Sequence, residues 1–233
     1  MKQLWSLVAV GVIAMSATVV AQEGAKPAAK PSEHQQVQEK PKHEGQKKDE
    51  KKQEKKAELK IGEKAPEFSL KDTEGKEHAL SSLSGKIVVL EWFNPDCPFV
   101  QKQHEKTTTM ADLVKKYGDK VTFLAVNSNA PGSMGSGKDR NAKAKTDWKL
   151  DYPILLDETG EVGKAYQSKN TPTMYVIDAK GNLAYWGAID DDSSPDKAGK
   201  TNYVGKALDE LLAGKPVSQS KTKPYGCNVK YKN

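Results

Sequence analysis

Ile87-Val88-Val89-Leu90-Glu91-Trp92-Phe93-Asn94-Pro95-Asp96-Cys97-Pro98-Phe99-Val100 is the stretch whose reading decides the fold. Its first six residues form a largely apolar, β-branched run, the pattern of a strand buried on both faces of a sheet. Pro98 suits the first position of a helix, where its missing N–H costs nothing. A helix is therefore expected from Pro98 to Tyr117, closing at Gly118. Cys97 then falls at the turn between the carboxyl end of a strand and the start of a helix, where open α/β sheets place reactive groups. The unpaired N–H groups and partial positive charge of a helix N-terminus favour a thiolate there, whereas the Asp96 carboxylate, if close to the sulfur, opposes it. The plain alternative is a buried, inert core cysteine.

The alternation of elements continues outward. Before the strand, apolar residues begin to recur at Ile61, and a turn at Asp72-Thr73-Glu74-Gly75 separates two short strand candidates. After it come strand Val121 to Val126, a helix from Lys138 to Trp148, strand Tyr152 to Leu156 and a short helix around Glu161 to Tyr166. Strands Thr173 to Asp178 and Leu183 to Gly187 are joined by the hairpin signal Ala179-Lys180-Gly181-Asn182, and an amphipathic helix spans Tyr203 to Leu212. This order predicts an α/β domain over residues 60–233 with a mixed central sheet and helices on both faces.

Toward the N-terminus the chain changes character. Lys2, the apolar run Leu4 to Met15 and the small residues up to Ala21 read as a secretory signal peptide over residues 1–21, cleaved after Ala21. The mature protein is then exported, to a periplasmic or extracellular space; an uncleaved leader would make it a membrane anchor. Residues 22–59 are nearly all Lys, Glu, Gln, Ala, Pro and His, without an aromatic residue, and read as a disordered charged linker. His34 and His43 within it are taken as spacer residues, not metal ligands. The formal charge of +6 is spread over interleaved acids and bases with a single Arg, Arg140, which argues against nucleic-acid binding.

The motif Asn94-Pro95-Asp96-Cys97-Pro98-Phe99-Val100 occurs together with Asn170-Thr171-Pro172-Thr173-Met174-Tyr175-Val176-Ile177-Asp178 and a terminal Pro224-Tyr225-Gly226-Cys227-Asn228-Val229-Lys230-Tyr231. In this combination the chain resembles the peroxiredoxin-like redoxins of the alkyl hydroperoxide reductase and thiol-specific antioxidant branch of the thioredoxin-like superfamily. The resemblance implies a thioredoxin-like fold and an exported thiol-dependent oxidoreductase of antioxidant type. Its substrate would be a peroxide or a protein disulfide, its partner a thiol electron donor, and it would need no organic cofactor or metal. It also implies that Pro172 is a cis-proline facing Cys97 and that Thr171 presents backbone groups to a substrate, with Trp92, Asn94 and Pro98 completing the groove.

Departures from better-known members narrow the chemistry. Val100 stands where thioredoxins carry a second cysteine, so no C-x-x-C is present and Cys97 cannot close a local disulfide. Asn94 stands where peroxiredoxins carry Thr, and Arg140 is read as lying in a loop away from Cys97. Cys227 is the remaining thiol, either resolving an oxidised Cys97 or forming a permanent staple with it in a non-catalytic binding module. His104, about 10 Å further along the helix axis than Cys97, is expected to be a solvent-exposed helix residue and not its base. Residues 127–137 are expected to form a long flexible lid or substrate wall, and Asp190-Asp191-Asp192 a solvated loop.

Overall fold

Asp72 shapes the first hairpin: its Oδ1 accepts from the backbone N–H groups of Glu74 at 2.8 Å and Lys76 at 3.0 Å. This Asx turn joins β1 (Ser69–Asp72) to β2 (Glu77–Ala79) in the computed structural model, which describes residues 58–232. The expected leader lies outside the described residues, as does nearly all of the expected linker. Leu59, assigned to that linker, is buried among core residues, so the ordered packing includes it.

The apolar run forms β3 (Ile87–Trp92), buried at all six positions. Helix α1 (Pro98–Gln101) follows, then a π turn over Lys102–Lys106, then α2 (Thr109–Tyr117), closing at Gly118. The expected single helix is thus broken at Thr107, whose φ and ψ of −134° and 167° are extended. The reason is local. Thr107-Thr108-Thr109 is a β-branched run, and the Thr107 hydroxyl bonds the Lys102 carbonyl at 2.7 Å, competing with the helical ladder.

The remaining elements are β4 (Val121–Asn127), α3 (Lys138–Asp147), β5 (Ile154–Leu156), α4 (Glu161–Ala165), β6 (Asn170–Thr171), β7 (Thr173–Ile177), β8 (Leu183–Gly187), α5 (Tyr203–Leu212) and β9 (Cys227–Asn228). The main sheet runs β2-β1-β5-β4-β3-β7-β8, with β3, β4 and β5 mutually parallel and β7 antiparallel to β3. Alternation along β3 sends Val89 toward a core that includes Met110 and Leu113 of α2 and Val204 and Leu208 of α5. Val88, Leu90 and Trp92 enter the opposite core with Phe68, Tyr166 and Tyr175, against Val162 of α4. Helices therefore cover both faces, as expected.

Past Leu212 the chain does not trail away. Backbone bonds join Trp186 N to Ser220 O at 3.0 Å and Thr222 N to Trp186 O at 3.2 Å, so the segment covers the outer edge of β8. It then pairs as β9 with β6, Thr171 opposite Cys227 and Asn170 opposite Asn228. Farther on, Ala130 N bonds Lys230 O at 2.7 Å, and the Tyr231 hydroxyl donates to Ser168 O at 2.6 Å. Residues 220–231 thus form an arm strapped across the carboxyl ends of the central strands.

Candidate active site

Cys97 is the N-cap of α1 and is fully buried. Its carbonyl accepts from Val100 N and Gln101 N, both at 2.9 Å, so the backbone and not the sulfur satisfies the first helical donors. The thiol donates to Thr171 O at 3.0 Å instead. The four-residue regular helix does not aim its N–H groups at the sulfur as the sequence reading expected.

Thr171 and Pro172 are both buried, and the peptide bond between them is cis. Thr171 does present its backbone beside Cys97, but β9 of the same chain occupies that edge. Pairing places Cys227 opposite Thr171 and beside Cys97; both cysteines are free thiols. Burial, and then its contact with Cys97, pushes the Cys227 thiol up to about 12.

Two of the expected groove residues are corrected. Trp92 lies in the opposite core, with its ring against Tyr166 and Tyr175 and its Nε1 donating to Ser128 Oγ at 3.1 Å. It cannot line a groove on the Cys97 side because alternation along β3 turns it away. Asn94 is buried and committed: its Oδ1 accepts from Asp96 N at 2.9 Å and its Nδ2 donates to Met134 O at 3.3 Å. Pro98 is exposed beside the buried thiol.

Other expectations change as well. Arg140 lies on α3 and reaches the Cys97 turn, its Nη2 2.7 Å from Asp96 Oδ1 and 3.1 Å from Pro95 O. The Asp96 carboxylate is thereby directed at a guanidinium. Residues 127–137 are held by Asn127 Nδ2 donating to Gly135 O at 2.7 Å and to Asn141 Oδ1 at 2.9 Å, so the expected flexible lid is a braced wall. Asp190 is not solvated but 2% exposed, facing the Lys102 ammonium at 3.3 Å. His104, expected in solvent, has a side chain 1% exposed; its Nε2 lies 2.9 Å from Glu91 Oε1, and its ring stacks on Trp148. Glu91 in the middle of an apolar strand was the signal for this pair, since a charge at such a position needs a buried partner.

This architecture is a thioredoxin-like fold with a cysteine at the first strand-to-helix turn. The AhpC/TSA family model matches residues 61–186, and the chain belongs to that family. It is 34% identical over 120 residues to the thioredoxin-like protein YneN of Bacillus subtilis, covering 52% of this chain and 66% of that protein. To the thiol-disulfide oxidoreductase ResA of Geobacillus thermodenitrificans it is 31% identical over 123 residues, 53% of this chain and 66% of the relative. The chain thus spans just under two thirds of these relatives. Among solved structures, an uncharacterized conserved protein from Geobacillus kaustophilus superposes with a TM-score of 0.66 at 32% identity, covering 75% of this chain and 94% of that one.

Proposed function

We propose that this protein is a thiol oxidoreductase in which Cys97 and Cys227 form one two-electron couple. The observation that carries the reading is the β6–β9 pairing, which brings a cysteine from the far end of the chain onto Cys97 at Thr171. In the reducing direction, one of the two thiols loses its proton and attacks a disulfide sulfur, forming a mixed disulfide, and the substrate sulfur that leaves takes up a proton as the first substrate thiol. The other thiol then attacks the enzyme sulfur of that bond, an S–S bond forms between Cys97 and Cys227, and the second substrate thiol leaves. A thiol electron donor resets the pair.

A protein disulfide is the favoured substrate, with a peroxide as the alternative. Asn94, which stands where peroxiredoxins carry Thr, and Arg140, the one Arg of the chain, are already bound to Asp96 and its neighbours, and the relative ResA is a thiol-disulfide oxidoreductase. The reading includes export, on the leader expected at residues 1–21. N-terminal sequencing of the mature protein tests that part.

The function test is equilibration of the reduced chain in a glutathione redox buffer, followed by mass spectrometry. An intramolecular Cys97–Cys227 disulfide that reduces a model protein disulfide and is lost in Cys97→Ser and Cys227→Ser is the expected result. Peroxide consumption without disulfide exchange moves the assignment to the peroxide. Absence of any disulfide between the two cysteines sinks it.

A further inference from the structure

Lys102 is a fully buried lysine five residues beyond Cys97 on the same helical segment. Its ammonium faces Asp190 Oδ1 at 3.3 Å and the Tyr225 hydroxyl at 3.3 Å, and it also donates to Asp192 O. The Tyr225 hydroxyl donates to Asp190 Oδ1 and accepts from Gln103 Nε2 at 3.0 Å. Asp190 Oδ2 takes Gly199 N at 2.9 Å. One buried network thus ties three segments distant in sequence: the helix that Cys97 opens, the loop after β8, and the arm at Tyr225.

Burying an ammonium and a carboxylate is costly, and such a pair is weak evidence for stability in itself. Its geometric effect is specific, because Tyr225 lies two residues before Cys227. Between them Gly226 packs directly on Thr171 O, so the backbone has little freedom once the Tyr225 ring is fixed. Phe99, two residues past Cys97, packs on that ring with centroids 5.9 Å apart.

We propose that Lys102, Asp190 and Tyr225 form a latch that docks the arm and positions the Cys227 sulfur for bond formation with Cys97. These are positioning residues, since none touches a reacting sulfur. The inference rests on the dithiol reading above. Undocking the arm lowers the effective concentration of one thiol at the other, so the disulfide becomes easier to reduce.

Tyr225→Phe keeps the ring and removes the hydroxyl. In a dithiothreitol redox buffer the reaction is balanced: two protein thiols and oxidised dithiothreitol give the protein disulfide and reduced dithiothreitol. The expected result is an equilibrium constant about ten-fold lower than in the parent, a potential about 30 mV less negative. In the Cys227→Ser background the same change is expected to speed iodoacetamide alkylation of the buried Cys97 about ten-fold, as undocking exposes it. An unchanged alkylation rate means the hydroxyl does not hold the arm. An unchanged potential means docking does not position Cys227. Either overturns the proposal. A parent that never forms the disulfide removes the dithiol reading, while the alkylation comparison still judges the latch. If Tyr225→Phe lowers the thermal midpoint of the whole domain, Gln103→Leu, which removes one donor to the same hydroxyl, supplies both comparisons.

Discussion

Gly226 has a φ of +114°, and a Cβ built there would meet Thr171 O at 2.0 Å. Only glycine combines that left-handed backbone with that approach. Gly226→Ala is therefore expected to push the arm off β6. In the Cys227→Ser background, Cys97 alkylation should rise at least ten-fold; a rate equal to the parent's contradicts the packing. Cys227 itself yields a pH prediction. Because burial raises its thiol to about 12 from 9.0, the docked arm favours the protonated form. The stability this lends is complete below about pH 9 and is lost as pH rises from there through about 12. In a Cys97→Ser chain, where burial remains the main cause, labelling of Cys227 should follow a midpoint well above that of a free thiol. A midpoint at the free-thiol value refutes it. The sequence paired Cys227 with Cys97 but showed neither its burial nor the seat of Gly226 on Thr171, since these neighbours are distant in sequence.

Among the elements, β3 and the helical segment after Cys97 each bury a charged residue, Glu91 and Lys102. Glu91 is held by His104 at 2.9 Å and by the Tyr152 hydroxyl at 3.2 Å, with all three side chains in the core between β3, the π turn and the start of β5. Removing one member of a buried pair leaves the other uncompensated. His104→Ala is expected to cost about 3–5 kcal/mol in urea unfolding; a loss below about 1 kcal/mol, the size of an exposed pair, rules out this arrangement. The end signals at Pro98 and Gly118 marked where the helical segment starts and stops, but neither its break at Thr107 nor the burial of its inner residues. The π turn and the break at Thr107 alter which side chains face inward, so Lys102 and Gln103 turn into the core and His104 with them. The partners that make such burial possible, Glu91, Asp190 and Tyr225, come from other elements.

At the scale of the whole molecule, the arm closes both the β8 edge and the Cys97 site. A chain ending at Ser218 loses the Ser220 and Thr222 backbone bonds to Trp186 and the whole of β9. It should alkylate at Cys97 far faster than the full chain and should self-associate through the opened edge strand, seen by size-exclusion chromatography. A monomer with Cys97 still protected would show that the arm guards neither. Sequence alone determined the order of the main-sheet strands and the helices between them, the two-faced sheet and the place of Cys97 at a strand-to-helix turn. These follow from local periodicity and turn chemistry, which each segment carries in itself. Tertiary structure decided the rest: which face took Trp92, that Arg140 would meet Asp96, that Lys102 and Asp190 would be buried, and that Cys227 would come to Cys97. Each of these depends on pairing between distant segments, and in particular on the aromatic and apolar residues Tyr225, Val229 and Tyr231 finding seats that no neighbouring residue specifies. The turn at Cys97 was fixed by its own residues, whereas its chemistry was set by the other end of the chain.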